Sequence, residues 1–160
     1  MQITQPIILQ GDNVLANLGG YWFRHYATDF LAAAQAFEAP KNRFSPVRYY
    51  LICHSIELSL KSFLLTVGFK KDNLQNLNHD LNKALKKAVD KGLSTHLEIT
   101  SNDREALKKA NKLYSIKEFE YFEKLETIYD PHDFDLDALA SFAQRLLDAI
   151  EAPVSASIFE

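Results

Sequence analysis

One apolar segment, SPVRYYLICHSIELSLKSFLLTVG at residues 45–68, constrains the fold of this chain more than any other. Ser45 is a favourable N-cap, and Pro46 suits the first turn of a helix, where a backbone N–H would have no intrahelical acceptor. Gly68 can adopt the left-handed conformation that ends many helices. Because the residues between these ends are apolar on most faces, the segment predicts a central helix that other helices surround.

A line of polar residues interrupts this apolar helix. His54, Glu57 and Lys61 are spaced i, i+3 and i+7, so they lie along one face. A functional interpretation has Lys61 binding a phosphate while His54 moves a proton. A structural interpretation has Glu57 and Lys61 forming an i, i+4 ion pair in the favourable order, with His54 hydrogen-bonded nearby. The sequence leaves both interpretations open.

The composition is that of one soluble globular domain. The chain has 160 residues, of which 47% are hydrophobic and 24% are charged, and it can bury a substantial core. No apolar run approaches the roughly 20 residues that a membrane span requires, and the first residues, MQITQPIILQ, do not resemble a signal peptide. Because Cys53 is the only cysteine, no internal disulfide can form, and we expect a cytoplasmic protein without membrane contacts.

The sequence also lacks the signals of several kinds of binding site. The net charge of −3 gives no overall attraction to nucleic acid, so any RNA binding requires a local basic face. The five histidines and the single cysteine show no spacing typical of metal ligands, and there is no glycine-rich phosphate-binding loop. We therefore expect neither a metal ion nor a cofactor.

Helical periodicity predicts one helix before the central helix and one after it. The first begins at about Tyr21, carries an apolar stripe and ends before Pro40. After a polar connector, the third has Asn78 as its N-cap and ends at Gly92. The stripe of the first helix comprises Phe23, Ala27, Phe30, Leu31, Ala34 and Phe37.

Two more helices are predicted in the second half of the chain. The fourth starts at Ser101 or Asn102, where Asn102 and Glu105 have the spacing of a capping box. The last starts at Asp135 or Asp137 and carries a continuous apolar stripe. Together the five helices predict an all-α fold, an antiparallel helical bundle of about five helices.

This bundle is predicted to occupy residues 21–152. Residues 1–20 form an N-terminal arm, whose apolar residues 7–9 we expect to lie on the body of the protein or on a second copy. Pro153 is expected to end the last helix, which leaves residues 153–160 as a frayed C-terminal tail.

His79 and Asp80, which open the third helix, are a second candidate site. The backbone N–H groups at a helix N-terminus favour an anion, so a phosphate could bind beside His79. Alternatively, Asp80 complements the helix dipole while His79 bonds Glu57 or a carbonyl group across the bundle. If His79 packs against the polar line of the central helix, the two motifs form one constellation.

Small and aromatic residues have packing and functional interpretations too. Ser55, Ser59 and Ser62 form a stripe that would let another helix approach the central one closely, and no histidine–aspartate relay accompanies these hydroxyl groups. Several aromatic side chains could stack on bases, although at helical spacing they favour the core or a dimer interface. They are Tyr49, Tyr50, Tyr114, Phe119, Tyr121 and Phe122.

The central segment YYLICHSIELSLKSFLLTVG, followed by NHDLNKALKKA, resembles the HEPN superfamily (higher eukaryotes and prokaryotes nucleotide-binding). Sequences of this family often show an apolar helix with His-x-x-Glu-x-x-x-Lys, then a Gly or Asn, then His-Asp-Leu. The resemblance covers roughly residues 21–152 and includes the downstream stretch KEFEYFEKLETIYDP. The matching positions are His54, Glu57, Lys61, His79, Asp80 and Leu81.

The resemblance implies an antiparallel bundle that commonly dimerises through long helices. Many members are metal-independent endoribonucleases, and others are binding modules beside minimal nucleotidyltransferases. The ribonuclease branch has an arginine, then four to six intervening residues, then a histidine, near the start of a late helix. Here no arginine lies between Arg104 and Arg145 to partner His132. Arg48 and His54 have the spacing, but six residues on a regular helix place them about 240° apart.

Three hypotheses follow. The first is a homodimeric, non-catalytic module in a toxin–antitoxin or defence system, which binds RNA, a nucleotide or a partner such as a nucleotidyltransferase antitoxin. The second is a metal-independent endoribonuclease that uses His54 or His79 in acid–base catalysis, with a cationic side chain stabilising the phosphorane. The third is an oligomeric scaffold without a ligand. The candidate ligand-binding residues are Glu57, Lys61, Asp80 and Arg48.

Overall fold

The structure, a computed structural model, describes residues 19–43, 45–121 and 134–158. These residues are helical with no strand, which confirms the prediction of an all-α bundle. Five long helices match the five predicted ones, and the short helices α3 and α6 are additional. The helices are α1 (Gly19–Ala36), α2 (Val47–Thr66), α3 (Lys71–Gln75), α4 (Leu81–Asp90), α5 (Ser101–Tyr114), α6 (Glu118–Tyr121) and α7 (Leu136–Ala156), with a 3₁₀ turn at Leu93–Thr95.

Some predictions lie outside the described residues. They concern residues 1–18 of the predicted arm, the side chain of Tyr121, and residues 122–133, which include His132. Gly19 and Gly20, the last residues of the predicted arm, open α1. Within the described ranges, each helix is too short or too polar to span a lipid bilayer.

α2 is the central helix of the bundle, as its sequence predicts. Thirteen of its twenty residues are buried, and α1, α4, α5 and α7 all pack against it. Cys53 is fully buried among them. Burial raises the pKa of the Cys53 thiol, as expected of an inert core residue rather than a reactive one.

The serine stripe of α2 faces α1, which confirms its predicted packing role. All three serines are fully buried. Ser55 Oγ donates to the carbonyl of Ala27 (2.7 Å), and Ser62 Oγ donates to the carbonyl of Gly20 (2.6 Å). The start of α1 therefore meets the end of α2, so the two helices are antiparallel. A Cβ atom at Gly20 would lie 2.8 Å from Thr66 Oγ1, which explains why glycine occupies this contact.

The C-terminal end of α2 lies where the sequence predicts it, whereas its N-cap is Pro46 rather than the predicted Ser45. Pro46 has helical dihedral angles (φ −75°, ψ −5°), and Ser45 Oγ accepts a long hydrogen bond of 3.5 Å from the N–H of Val47. Gly68 has a positive φ of 82° and ends the helix. The residue that ends the central helix is therefore readable from the sequence.

Substitution of Gly68 tests this cap. The N–H groups of Phe69 and Gly68 donate to the carbonyls of Leu64 (2.8 Å) and Leu65 (3.1 Å), the two bonds of a Schellman motif. We expect Gly68→Ala to lower the free energy of unfolding by about 1 kcal/mol, because an L-residue is strained at positive φ. No atom lies within 4 Å of the added Cβ, so the cost comes from the backbone. Urea denaturation measures it, and Gly68→Asn should cost less; equal losses in both variants would contradict this account.

α4 begins later than predicted, and Asn78 as its N-cap is wrong. Asn78 has a left-handed backbone (φ 49°) and lies in the turn before the helix. Asp80 is the N-cap instead, because its backbone is extended and its Oδ1 accepts a hydrogen bond from the N–H of Lys83 (3.0 Å). His79 therefore precedes the helix rather than opening it. The predicted helix end is confirmed, since Gly92 has a φ of 98°.

The capping box of α5 also differs from the prediction. Thr100 Oγ1 accepts from the N–H of Asp103 (3.1 Å), and Asp103 Oδ2 accepts from the N–H of Thr100 (2.8 Å). The predicted pair, Asn102 and Glu105, is exposed. Asp103 is buried and is also paired with Arg145 of α7, so tertiary contact selects this box over the neighbouring one.

α7 starts as predicted but does not end as predicted. Asp135 Oδ1 accepts from the N–H of Ala138 (2.9 Å), which confirms Asp135 as the N-cap. The predicted end at Pro153 is wrong, because the helix continues to Ala156. A proline inside a helix costs about 3 kcal/mol, whereas burying a valine contributes roughly 1.5–3 kcal/mol. Val154 is buried in the core, so its packing offsets the cost of the missing hydrogen bond.

Candidate functional site

The carboxylate of Glu57 is the centre of a group of polar side chains. Glu57 is only 2% exposed. Its Oε1 accepts from Lys61 Nζ (2.5 Å), and its Oε2 accepts from Tyr114 Oη (2.6 Å) and lies 3.2 Å from His79 Nδ1. His54 Nδ1 lies 3.0 Å from Tyr114 Oη and 3.6 Å from Glu57 Oε2. We call these five residues the Glu57 cluster. The structure thus brings the two sequence motifs together in one constellation.

The start of α4 positions His79 for this contact. Asn111, on the buried face of α5, accepts a hydrogen bond from the N–H of Leu81 (2.7 Å) and donates one to Asp80 Oδ1 (3.0 Å). These two bonds hold the first turn of α4 against α5. Since His79 directly precedes the capping residue Asp80, its ring is carried to the side of α2 that presents Glu57.

Electrostatics keeps the centre of the cluster in one protonation state. Burial by itself would raise the pKa of the Glu57 carboxyl. The proximity of His54, the hydrogen bonds from Lys61 and Tyr114, and the positive charge of Lys61 together outweigh burial and hold the pKa of the Glu57 carboxyl below its ordinary value. Burial and the charge of Glu57 raise the pKa of the Tyr114 phenol. The cluster therefore contains an ionised carboxylate and a neutral phenol.

These protonation states determine how the two imidazole rings are oriented. A carboxylate can only accept hydrogen bonds, so His79 must donate its Nδ1–H to Glu57. Tyr114 uses its single O–H to donate to Glu57, so the oxygen of Tyr114 accepts from the Nδ1–H of His54. Nε2 of each ring is then the atom left to exchange a proton or to contact a ligand. Within the described part of the chain, no protein group forms a hydrogen bond with either Nε2.

The cluster reaches the surface through three of its members. The side chains of His79, His54 and Lys61 are 37%, 23% and 17% exposed, respectively. Aromatic rings hold His54 in place: Tyr50 stacks on it with centroids 5.7 Å apart, and Phe30 contacts it edge-on at 4.4 Å. A buried anion is thus covered by three side chains that can carry positive charge.

Two predicted ligand-binding residues lie elsewhere. Asp80 uses its carboxylate for the N-cap of α4 and for the contact with Asn111. Arg48 Nη2 pairs with Asp137 Oδ1 at the start of α7 (2.9 Å) and has no described contact with His54. The structure therefore gives both residues a helix-joining role and leaves four of the six predicted site residues in the cluster.

Tyr114 is the member that sequence reasoning missed. Its position on a helix predicts a ring in the core, at a dimer interface or stacked on a base, whereas its hydroxyl group joins Glu57 to His54. It lies 57 positions from Glu57 in sequence, so spacing gives no signal. The available cue is that Tyr114 continues the buried stripe of Ala106, Leu107 and Ala110 on α5, and a buried tyrosine hydroxyl requires a partner.

Two clefts border the cluster. One is lined by Tyr50, His79 and Tyr114 together with residues 117–120. The other lies between α1, α2 and α3, has a volume of about 410 Å³ and includes Lys61. Among the described residues, no group of three or more His, Cys, Asp or Glu side chains is arranged to hold a metal ion.

Comparisons of the chain with known protein families, with curated proteins and with solved structures found no match. The resemblance to the HEPN superfamily therefore stays a prediction that rests on the two short motifs.

Proposed function

We propose that this chain is a HEPN-like helical module that binds RNA or a nucleotide through phosphate contacts at the Glu57 cluster. The observation that supports the proposal is the convergence of Lys61, His54 and His79 on one buried carboxylate, with all three reaching the surface. If Glu57 only formed a structural ion pair, one cationic partner would be enough. Instead, three side chains that can carry positive charge surround it.

The chemistry of the three side chains suits a phosphate. The ammonium group of Lys61 has three N–H donors, and its one described hydrogen bond is to Glu57. Each imidazole gains a second donor at Nε2 when it takes up a proton. The negative charge of Glu57 offsets part of this positive charge, so we expect each phosphate contact to be modest and sensitive to salt.

Removing the charge of Lys61 tests the proposal. We expect Lys61→Met to weaken the binding of fluorescein-labelled single-stranded RNA about tenfold, or about 1.4 kcal/mol. The slope of log affinity against log salt concentration should also fall by about 0.7, because one phosphate contact is lost. Fluorescence anisotropy at several salt concentrations measures both quantities, and the same titration with free nucleotides shows which ligand binds more tightly.

Two further variants control for indirect effects. Lys61→Arg keeps the charge and should retain most of the affinity. Lys86→Met removes an exposed lysine that pairs with Asp90 at the same i, i+4 spacing, and it should leave the affinity unchanged. Equal affinity in Lys61→Met and the wild-type protein, or no binding at low salt, would refute a phosphate site at this cluster.

A second candidate function is metal-independent cleavage of RNA, and the orientation of the two imidazoles favours it. A ring that donates Nδ1–H to a fixed acceptor presents Nε2 as the proton-accepting atom, as in a carboxylate–histidine pair. Two such rings could act as base and acid on the 2′-hydroxyl and the leaving oxygen, while Lys61 stabilises the charge of the phosphorane.

The two candidates differ in what happens to the RNA. Cleavage predicts shortened RNA in the presence of EDTA, with loss of the products in His54→Asn and in His79→Asn. A binding module predicts intact RNA with affinity that falls as salt rises. If neither cleavage nor binding is observed, the remaining hypothesis is a scaffold in which the Glu57 cluster only stabilises the bundle.

The assembly of this module is a further part of the proposal. The resemblance implies a homodimer and a nucleotidyltransferase antitoxin as a partner, and the single cysteine favours a cytoplasmic location. Sedimentation of the purified chain at several concentrations tests the dimer. A monomer at all concentrations would remove the dimer from the proposal without affecting the phosphate site.

A further inference from the structure

Aromatic side chains are exposed on the outer face of α1. Trp22 and Tyr26 lie one helical turn apart and are 49% and 50% exposed. Their rings are stacked, with centroids 6.2 Å apart and an angle of 25° between the planes. His25 and Tyr21 extend the group, at 6.0 Å and 5.5 Å from the ring of Trp22. We call these four residues the aromatic platform. Packing of the described core does not require Trp22 or Tyr26 to be aromatic, because half of each residue remains in solvent.

Trp22 and Tyr26 of the aromatic platform, together with Phe23, form one wall of the cleft of about 410 Å³ between α1, α2 and α3. This volume is within the range of small-molecule sites, roughly 300–1,000 Å³. Lys61 and Lys71 supply two ammonium groups, Gln75 supplies an amide, and no acidic side chain is among the described residues that line the cleft. Lys61 belongs to both this cleft and the Glu57 cluster, so a ligand in one lies beside the other.

We propose that this cleft binds one unpaired base of single-stranded RNA, which stacks on Trp22 and Tyr26 while the adjoining phosphate contacts Lys61 and Lys71. The inference deepens the proposed function and rests on it, because it names the part of the RNA that lies next to the Glu57 cluster. Aromatic faces stack on every base, so the cleft would accept unpaired nucleotides with little sequence preference. The amide of Gln75 could hydrogen-bond to a base edge.

The charges in the cleft favour a nucleotide over an apolar segment of a protein as the ligand. Lys61 is already paired with Glu57, but an apolar helix or strand in the cleft would take the exposed ammonium group of Lys71 out of water without pairing it, which is costly. A phosphodiester pairs with the ammonium groups, and its base covers the apolar rings. Charge complementarity and the exposed rings therefore point to the same ligand.

The intrinsic fluorescence of the protein tests this inference, since Trp22 is the only tryptophan of the chain. Titration of the full chain with an adenylate decamer should quench the emission and protect Trp22 from acrylamide. An abasic sugar–phosphate decamer should bind more weakly and leave the emission nearly unchanged. We expect Trp22→Ala and Tyr26→Ala each to weaken binding of the adenylate decamer on the order of tenfold, measured by anisotropy of a labelled strand.

Ile116→Ala is the matched control, because Ile116 is a similarly exposed apolar residue (53%) that does not line the cleft. Its affinity should equal that of the wild-type protein. Thermal unfolding of all three variants checks that they are folded, and large losses of stability are not expected for side chains that are half in solvent.

The outcomes separate this inference from the proposed function. RNA binding that depends on Lys61 but neither quenches Trp22 nor weakens in Trp22→Ala would overturn the base-binding cleft and leave the phosphate site intact. Absence of any RNA binding would overturn both. If Trp22 is already shielded from acrylamide without RNA, the inference is also overturned. Shielding that persists when the protein is diluted means that the chain covers its own cleft. Shielding that disappears on dilution means that a second copy of the chain covers it.

Discussion

Replacing Glu57 with alanine is expected to lower the free energy of unfolding by about 3 kcal/mol. Removing one partner of a buried ion pair costs about 3–5 kcal/mol, because the remaining charge is left without its partner. Here the lower end of that range applies, since Lys61 and His79 are 17% and 37% exposed and can regain water. Tyr114 cannot recover as easily, because it is only 4% exposed.

Urea denaturation of the wild-type protein and the variant measures this loss. Glu105→Ala is the control, because Glu105 forms an exposed i, i+4 pair with Lys109 (3.9 Å). Pairs of this kind contribute about 0.3–0.5 kcal/mol, so the control should lose no more than that. If Glu57→Ala lowered the free energy of unfolding by no more than this control, the cluster would not stabilise the bundle.

The contribution of Glu57 should also depend on pH, with a definite sign. The pKa of Glu57 is lower in the folded protein than its ordinary value. Its stabilising contribution is therefore complete above the pKa of the unfolded chain, about 4.3, and is lost as the pH falls towards the lower folded pKa. We expect the stability difference between the wild-type protein and Glu57→Gln to narrow below about pH 4.3. Other carboxyl groups titrate in both proteins and cancel in the difference, so a gap that widens on acidification would contradict the lowered pKa.

Tyr114→Phe is expected to lower the free energy of unfolding by about 2 kcal/mol. The hydroxyl group of Tyr114 donates to the ionised Glu57 (2.6 Å) and accepts from His54 (3.0 Å). Hydrogen bonds to charged groups contribute about 1.5–3 kcal/mol. The substitution leaves the ring in place, so it removes these two bonds with little change in packing.

Tyr49→Phe is the matched comparison within the same core. Tyr49 is 1% exposed, and its Oη donates to the uncharged carbonyl of Ala110 (2.6 Å). A hydrogen bond between neutral groups contributes about 0.5–1.5 kcal/mol, so this variant should lose roughly half as much stability as Tyr114→Phe. Equal losses in the two variants, measured by urea denaturation, would show that the charge on Glu57 does not strengthen the bond from Tyr114.

Local sequence patterns predicted the helices well. The apolar residues of the first and last stripes recur at helical spacing, and this spacing is a property of neighbours along the chain. Gly68 at the end of α2 and Asp135 at the start of α7 are predictable for the same reason, because their roles depend on backbone conformation and on atoms a few residues away. The spacing of His54, Glu57 and Lys61 likewise places these residues on one face of the helix without reference to any tertiary contact.

Errors arose where a distant contact selected one local option over another. Near α4, both Asn78 and Asp80 are good capping residues, and Asp80 is the one that also contacts Asn111 of α5. Near α5, Asp103 forms the capping box because it pairs with Arg145, which is 42 positions away. At Pro153, the burial of Val154 extends a helix that proline normally ends.

The sequence by itself determined an all-helical chain with a buried central helix and one polar line along it. Only the tertiary structure decided that Glu57 in this line is the centre of a polar cluster, because His79, in the turn before α4, and Tyr114, on α5, reach it from 22 and 57 positions away. Helical spacing relates residues a few positions apart, whereas the partners of a buried charge depend on which helices pack together. Packing is set by the shapes of whole surfaces, and a local pattern does not contain that information.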